Sequence, residues 1–410
     1  MTQAAWLTIL GIGEEGLDSL TPVARSLLEQ AEVIVGGERH LSMLGEDPRE
    51  QLVWGNPFSG MVKRVLARRG EKICVLATGD PMCFGVGATF AKQLSATEMR
   101  IVPGISAYSL ACARLGWPLM EVDLLTLHGR PLSLLQSYIQ PGARLLMLSE
   151  NGKTPGEVAD LLTKRGFGDS RITVLEHMGG ENEQQMEGIA HCWDHPVSAD
   201  LNTIAVDCIA TGHARVYANT PGLPDDAFLH DGQMTKRIVR AATLAALTPV
   251  PGQLLWDLGA GCGSISIEWM RAARGARAVA VERNSERLTM IASNAQALGT
   301  PFLAIHDGAL PSALDQLSQK GEHPDAIFIG GGATSEGIFE RCWALLNPGG
   351  RFVANVVTLE GENQLYEWHK KVGGELNRIA VSHASPVGPY HGWRSAMTVT
   401  QFVVTKEYGQ

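Results

Sequence analysis

No stretch of this chain reaches the roughly 18 uninterrupted apolar residues that a membrane helix needs, which argues against a membrane partner. The opening Met1-Thr2-Gln3-Ala4-Ala5-Trp6 has no basic patch and runs straight into a strand-like segment, so no signal peptide is expected. Cysteine is sparse. The seven residues at 74, 83, 112, 192, 208, 262 and 342 are odd in number and never spaced C-x-x-C. Reduced thiols in a cytoplasmic protein are therefore expected, with no disulfide framework and no zinc or other metal site. Basic residues are outnumbered, 34 Lys and Arg against 43 Asp and Glu, and no Lys/Arg-rich tract occurs. The net charge of −9 speaks against a nucleic-acid partner, because such binding draws most of its affinity from cation–phosphate contacts. A small acidic substrate held by a few arginines stays open. Internal repeats and low-complexity tracts are also lacking.

What is present is an α/β chain too long for one ordinary core, since 410 residues suit two domains of about 200 each. Apolar strands alternate with helical stretches through both halves. Pro221-Gly222-Leu223-Pro224-Asp225-Asp226 reads as a turn-forming, solvent-loving linker, dividing the chain into domains at 1–212 and 229–410 with a linker at 213–228. Thr235 is the expected N-cap of an apolar-periodic helix from Lys236 to Leu247.

Seven strands are predicted in the second half: Gln253–Leu258, Arg277–Glu282, Pro301–His306, Asp325–Gly330, Arg351–Val357, Leu376–His383 and Met397–Thr405. The last two are joined by a loop, Ala384–Ala396, and the whole reads as a doubly wound parallel sheet with an antiparallel edge. In the first half strands are expected at Trp6–Leu10, Val33–Val35, Ile73–Ala77, Arg100–Val102, Leu145–Leu148, Arg171–Leu175 and Leu201–Val206. A break between Gly129 and Gly142 suggests two lobes, the smaller beginning near Arg144, with a cleft between them suited to a large ligand.

The second half carries Asp257-Leu258-Gly259-Ala260-Gly261-Cys262-Gly263 where a strand gives way to a helix. Glycines there let backbone approach a ligand closely. The pattern is G-A-G-C-G, not the G-x-G-x-x-G that seats a pyrophosphate, and suits S-adenosylmethionine. Glu282, ending the next strand, suits two ribose hydroxyls, and His306-Asp307-Gly308-Ala309 lies where an adenine edge would sit. Cys262 reads as a small residue packed in the turn, not as a nucleophile.

Over nearly its full length this half resembles the decarboxylating corrin C15-methyltransferases of cobalamin biosynthesis. The resemblance rests on Asp231 to Lys236, Trp256 to Glu268, Ile329-Gly330-Gly331-Gly332, Asn355 to Glu360 and Gly392-Trp393-Arg394. It implies cofactor contacts at Thr235, Gly259, Ala260, Gly261, Cys262, Gly263, Glu282 and Ala309. Ala333 and Thr334 follow the third glycine turn where many relatives have a serine among the glycines.

Three further turns mark the first half: Gly11-Ile12-Gly13, Gly79-Asp80-Pro81 and Pro103-Gly104-Ile105-Ser106-Ala107, each at a predicted strand end, where α/β sheets bind ligands. Together they resemble the tetrapyrrole methylases. Leu127-His128-Gly129-Arg130 and Leu148 to Pro155 draw the match toward the corrin C5-methyltransferases. The resemblance spans roughly residues 6 to 210. It implies a two-lobed class III methyltransferase domain whose cofactor lies over Gly11, Gly13, Gly79, Asp80, Pro81, Gly104, Ser106 and Ala107. Asp80 is expected to shape the cofactor loop and not to act as a base. The second half is then a Rossmann-like, seven-stranded class I methyltransferase domain.

The two in this order resemble the fused corrin methyltransferases. That implies one S-adenosylmethionine per domain, methylation of precorrin-6B at C5 and C15, loss of carbon dioxide from the ring C acetate, precorrin-8 as product, and a dimer or tetramer. A cobalt-containing precorrin is the alternative substrate, and an RNA methyltransferase the more distant alternative. Arg130 beside His128 and Arg394 beside Trp393 are candidates for substrate carboxylates, with Arg39 beside His40 a further one. No catalytic acid or base is assigned from the sequence; His128 is open equally to shuttling a proton at C5 and to a structural hydrogen bond.

Overall fold

The computed structural model describes residues 5–319 and 321–408, so the opening segment discussed above lies, over residues 1–4, outside the described residues. The chain forms two compact units, one of residues 1–132 and 141–215, the other of 133–140 and 216–410.

The first unit contains two five-stranded sheets. β1 (Leu7–Ile12), β2 (Val33–Gly36), β3 (Glu50–Val53), β4 (Ile73–Thr78) and β5 (Met99–Val102) form a wholly parallel sheet in the order β3-β2-β4-β1-β5. Its central strands are near-continuous apolar runs, as a sheet covered on both faces requires. Alternate residues divide between the faces: Leu7 and Ile9 join one core layer, Leu10 and Ile12 the other. The second sheet is mixed, built from β6 (Asp123–Thr126), β7 (Arg144–Leu148), β8 (Arg171–Glu176), β9 (Gln184–Ile189) and β10 (Asn202–Asp207) in the order β6-β7-β10-β8-β9. Only β6 and β7 pair in parallel.

The second lobe therefore begins at β6, before the break at Gly129 to Gly142, and not near Arg144. β3, β6 and β9 were missed in the sequence because they are short or polar: β9 reads Gln-Gln-Met-Glu-Gly-Ile and buries no residue fully.

The second unit holds β11 (Leu254–Leu258), β12 (Arg277–Glu282), β13 (Ala304–Asp307), β14 (Ala326–Ile329), β15 (Arg351–Val356), β16 (Glu375–Ile379) and β19 (Val399–Thr405) in the order β13-β12-β11-β14-β15-β19-β16. Five strands are parallel, as expected. The antiparallel strand is not the edge, however. β19 inserts between β15 and β16, which leaves β16 outermost.

The expected loop Ala384–Ala396 is instead a hairpin of β17 (Ser382–Val387) and β18 (Tyr390–Ser395). Its residues are mostly exposed, so no apolar alternation announced it. Because β16 runs parallel to β15, this hairpin leaves the sheet at the carboxyl ends of the parallel strands.

The N-cap of helix Arg237–Leu247 is Lys236, not Thr235, and no side chain caps it. Thr235 instead turns its carbonyl to the Arg240 guanidinium, at 2.7 Å. Nor is the stretch from 221 a solvated tether. Leu223 and Phe228 are buried in the second unit's core. Gly222 and Leu223 donate their N–H groups to the buried Glu268 carboxylate, at 2.6 and 3.0 Å. Arg240, fully buried, completes the arrangement by pairing with Glu268 at 2.6 Å and Asp225 at 3.1 Å while lying over the Phe228 ring.

Candidate functional site

In β11 Leu254, Trp256 and Leu258 face one core layer, so the intervening Asp257 faces the helix Ser264–Ala272. There its Oδ2 accepts from the Ser266 hydroxyl (2.6 Å) and backbone N–H (3.1 Å). Oδ1 is buried without a hydrogen-bond partner among the described residues. Burial, aided by the Glu282 charge, pushes this carboxyl up to about 6.

The turn that follows has left-handed backbone at Gly259, Gly261 and Gly263. A Cβ at Gly259 would stand 2.9 Å from Gly331 N and O, so two glycine turns, after β11 and β14, press backbone on backbone. At Gly261 a Cβ would meet only Gln233 O at 3.6 Å, which leaves space beside that residue.

Glu282 is buried and anchors the turn: Gly261 N–H donates to Oε2 at 2.9 Å, while Arg283 and Asn284 N–H donate to Oε1 at 2.9 and 3.1 Å. One lone pair of Oε2 is left to accept from another donor. Gly308 N–H bonds the Glu282 carbonyl at 3.1 Å, and Ala309 follows directly. The ends of β11, β12, β13 and β14 thus bring Gly259, Ala260, Gly261, Glu282 and Ala309 together. Gln233 O lies near Gly261, while Thr235, two residues on, turns its carbonyl to Arg240. Cys262 is buried, its thiol raised by desolvation, and Asn294 ties its carbonyl to Leu229. Neither Asn294 nor Glu268 was singled out in the sequence.

Three glycine turns converge in the same way in the first unit. A Cβ at Gly11 would fall 1.9 Å from Gly79 O and 2.2 Å from Gly104 N. The space beside Gly11 is therefore filled by the two neighbouring turns, which are themselves joined by Gly104 N–H to Gly79 O at 3.0 Å. Gly13 N–H donates to the Ser19 hydroxyl at 2.8 Å. Asp80 accepts from Met82 N–H at 2.8 Å and so shapes its own loop, with Pro81 buried behind it. Ser106 caps the helix Ala107–Leu115 by accepting from Ser109 N–H.

Beside these turns Met82, Phe84 and Ile105 are 47%, 44% and 68% exposed. Phe84 has a left-handed backbone (φ 56°), uncommon for a bulky residue and a pointer to function. Arg130 lies 5.5 Å over the Phe84 ring. An apolar surface with a guanidinium at its margin suits a ligand that is flat, apolar in the middle and acidic at the rim.

His128 is largely exposed and sits 3.5 Å from Glu150. Arg394, on the hairpin, has no ion pair among the described residues, and the neighbouring Trp393 is exposed. Arg39 is already committed, paired with Glu14 and donating to Thr78 Oγ1 at 2.7 Å.

Residues 7–190 match the tetrapyrrole (corrin/porphyrin) methylases, and residues 226–406 match the precorrin methyltransferase domain. The chain is 44% identical over 402 residues to a Sinorhizobium precorrin-6Y C(5,15)-methyltransferase [decarboxylating], covering 98% of this chain and 96% of that one. It belongs to the precorrin-6Y C5,15-methyltransferase (decarboxylating) family.

Two shorter relatives match part of it. A Salmonella typhimurium cobalt-precorrin-7 C(5)-methyltransferase is 32% identical over 43% of this chain and 88% of its own. A probable cobalt-precorrin-6B C(15)-methyltransferase (decarboxylating) of Saccharolobus solfataricus is 30% identical over 37% of this chain and 78% of its own. Membership makes the chain a methyltransferase with S-adenosylmethionine as methyl donor. The space beside Gly261 and the unpartnered Asp257 Oδ1 fit a polar ligand of that kind in the second unit. No helix among the described residues is long and apolar enough to cross a membrane.

Proposed function

We propose that the chain methylates a metal-free precorrin at two bridging carbons, C5 in the first unit and C15 in the second, with one S-adenosylmethionine held by each. The second unit also removes carbon dioxide from the ring C acetate, so that precorrin-6B becomes precorrin-8. The observation that carries this reading is the presence, in one chain, of two unrelated glycine-lined strand edges, each within the span of a different methyltransferase family. The 44%-identical relative, matched over almost its whole length, bears the metal-free name, which favours that substrate over the cobalt form.

In this reading Gly79, Asp80, Pro81, Gly104, Ser106 and Ala107, with Gly11 and Gly13 behind them, shape the first cofactor site. Thr235, Gly259 to Gly263, Glu282 and Ala309 shape the second. The cofactor supplies an electrophilic methyl group on a sulfonium. The protein's task is chiefly orientation, which alone can lower a barrier by roughly 7–11 kcal/mol. Met82, Phe84 and Ile105 give the macrocycle a face to lie on, and Arg130 takes a peripheral carboxylate. In the second unit Arg394 and Trp393 play the corresponding part. Self-association into a dimer or tetramer and a cytoplasmic location complete the proposal.

Mass spectrometry of the macrocycle after incubation with precorrin-6B and S-adenosylmethionine tests it. Gain of two methyl groups with loss of one carbon dioxide is expected. No change in mass despite cofactor binding would sink the reading.

A further inference from the structure

Four segments of the first unit meet in one group of side chains that the glycine turns do not account for. Glu14 follows β1, Arg39 and His40 lie in the helix Glu38–Ser42 after β2, Thr78 ends β4, and His177 follows β8 of the other sheet. Glu14 joins the two lobes. One of its oxygens pairs with Arg39, and the other lies 2.9 Å from His177 Nδ1. Thr78 Oγ1 is shared by Arg39, at 2.7 Å, and by His40 Nε2, at 2.9 Å.

His177 is held under constraint. Its φ of 46° is left-handed, and Gly179 and Gly180 behind it approach the Glu14-Glu15 turn so closely that a Cβ at either would come within 2.9 Å of those side chains. A bulky residue in that backbone region costs about 1–3 kcal/mol and persists only where the surroundings enforce it.

We propose that His177 is the proton acceptor of the first unit's methyl transfer and that Glu14 positions it. This rests on the reading of that unit as the C5 methylating one. Methylation at a bridging carbon that bears hydrogen must release one proton. The carbon's π pair forms the bond to the methyl group, and the C–S pair stays on sulfur. The C5–H pair then returns to the conjugated system as the proton leaves. Nothing is oxidised or reduced.

A carboxylate at Nδ1 fixes the proton there and presents Nε2 with a free lone pair. His177 Nε2 makes no hydrogen bond to the described residues, and the side chain is 29% exposed. The other candidates are engaged or unsuited. His40 is buried with Nε2 on Thr78, and burial together with the Arg39 charge holds it near 4. Asp80 caps its own loop. Glu14 itself is ion-paired.

The charged groups facing His177 are Glu14 and, through it, Arg39. Glu15 lies against Gly179, and Glu183 accepts from Gly179 N–H while pairing with Arg114.

The test uses the full chain with precorrin-6B and S-adenosylmethionine, followed by mass. The second unit's reaction serves as an internal control of folding. His177→Gly, which relieves the backbone constraint, should stop at one methyl with loss of carbon dioxide. Its C5 rate should fall about 10²–10⁴-fold, with the KM for S-adenosylmethionine unchanged, and added imidazole should restore at least tenfold. Glu14→Gln removes the carboxylate that holds Nδ1, so the C5 kcat should fall about tenfold or more while the KM for S-adenosylmethionine stays unchanged. A C5 rate within threefold of the parent's, or a loss that imidazole does not restore, overturns the proposal and leaves His177 as a lobe clamp. A parent protein that adds no second methyl overturns the C5 reading itself.

Discussion

Replacing Asp257 by Asn should remove a specific piece of the protein's pH-dependent stability. The carboxyl is buried to 1% exposure, its Oδ2 satisfied by Ser266 and its Oδ1 by nothing. Burial pushes it from an ordinary 3.8 to about 6. A raised folded-state value means that the folded chain holds this proton more tightly than the unfolded chain. Its contribution is thus fully present below about pH 4, declines as pH rises, and is gone above about pH 6. A shift of about 2 units corresponds to about 3 kcal/mol. For a unit of this size each 1 kcal/mol moves the melting temperature by about 2–4 °C, so the total is about 6–12 °C.

Asparagine mimics the protonated carboxyl: its oxygen accepts from Ser266 and its NH₂ occupies the unpartnered position. Any cost of that unpaired NH₂ is the same at every pH. The diagnostic is therefore the difference between the two proteins as pH changes. Calorimetry of the full chain from pH 4 to 7.5 at fixed salt should show the variant's second-unit transition gaining on the parent's as pH rises to about 6, then running parallel. Groups that titrate in both proteins cancel. An offset that stays constant across the range would refute the argument, because the orphaned oxygen would then not be setting the proton affinity.

Gly11→Ala should force apart the turns at Gly79 and Gly104 at a cost of about 1–3 kcal/mol, lowering C5 methylation at least tenfold while the C15 reaction proceeds; product mass reports both. Arg240→Met should strand the Glu268 carboxylate and destabilise the second unit by about 3–5 kcal/mol in urea unfolding, and the double replacement with Glu268→Leu should not recover that loss, because the Gly222 and Leu223 N–H groups then lose their acceptor. Phe84→Ala should raise the KM for the macrocycle about tenfold, equivalent to about 1.4 kcal/mol, and leave the affinity for S-adenosylmethionine unchanged by isothermal titration.

Much of this was legible in the sequence where local chemistry and tertiary demand coincide. β12 was read to the residue because Arg277 and Glu282 bracket an unbroken Ala/Val run. The glycine turns were legible for a similar reason, since left-handed backbone at Gly259, Gly261 and Gly263 admits little else. The hairpin Ser382–Ser395 was not, because its residues face solvent on most positions and leave no period-two signal. The folding of 221–228 onto the second unit was hidden by its turn-like composition. The backbone of Gly222 and Leu223 finds its partners on the distant Glu268 and Arg240, and nothing local in the sequence announces that. His177 was missed because its constraint comes from Gly179 and Gly180 pressing on a turn more than 160 residues earlier.

The two glycine-rich edges use the same residue for different ends, and this decides what a motif match can mean. At Gly11 the missing Cβ makes room for protein: the carbonyl of Gly79 and the amide of Gly104 occupy the position, so the glycine is required before any ligand arrives. Gly259 does the same against Gly331. Gly261 differs, since a Cβ there would meet a single atom at 3.6 Å, and its N–H is spent on Glu282. Its demand is conformational, with space left over beside it. A glycine motif read from sequence therefore mixes residues that let strand ends converge with residues that border a cavity. The first kind holds the loops in register so that the second kind faces open space, and a side chain at the first would push the loops apart whereas one at the second would strain the turn. Glu282 links the two roles in the second unit: its carboxylate accepts three backbone N–H groups, fixing the turn, and retains one lone pair toward the space that the turn encloses.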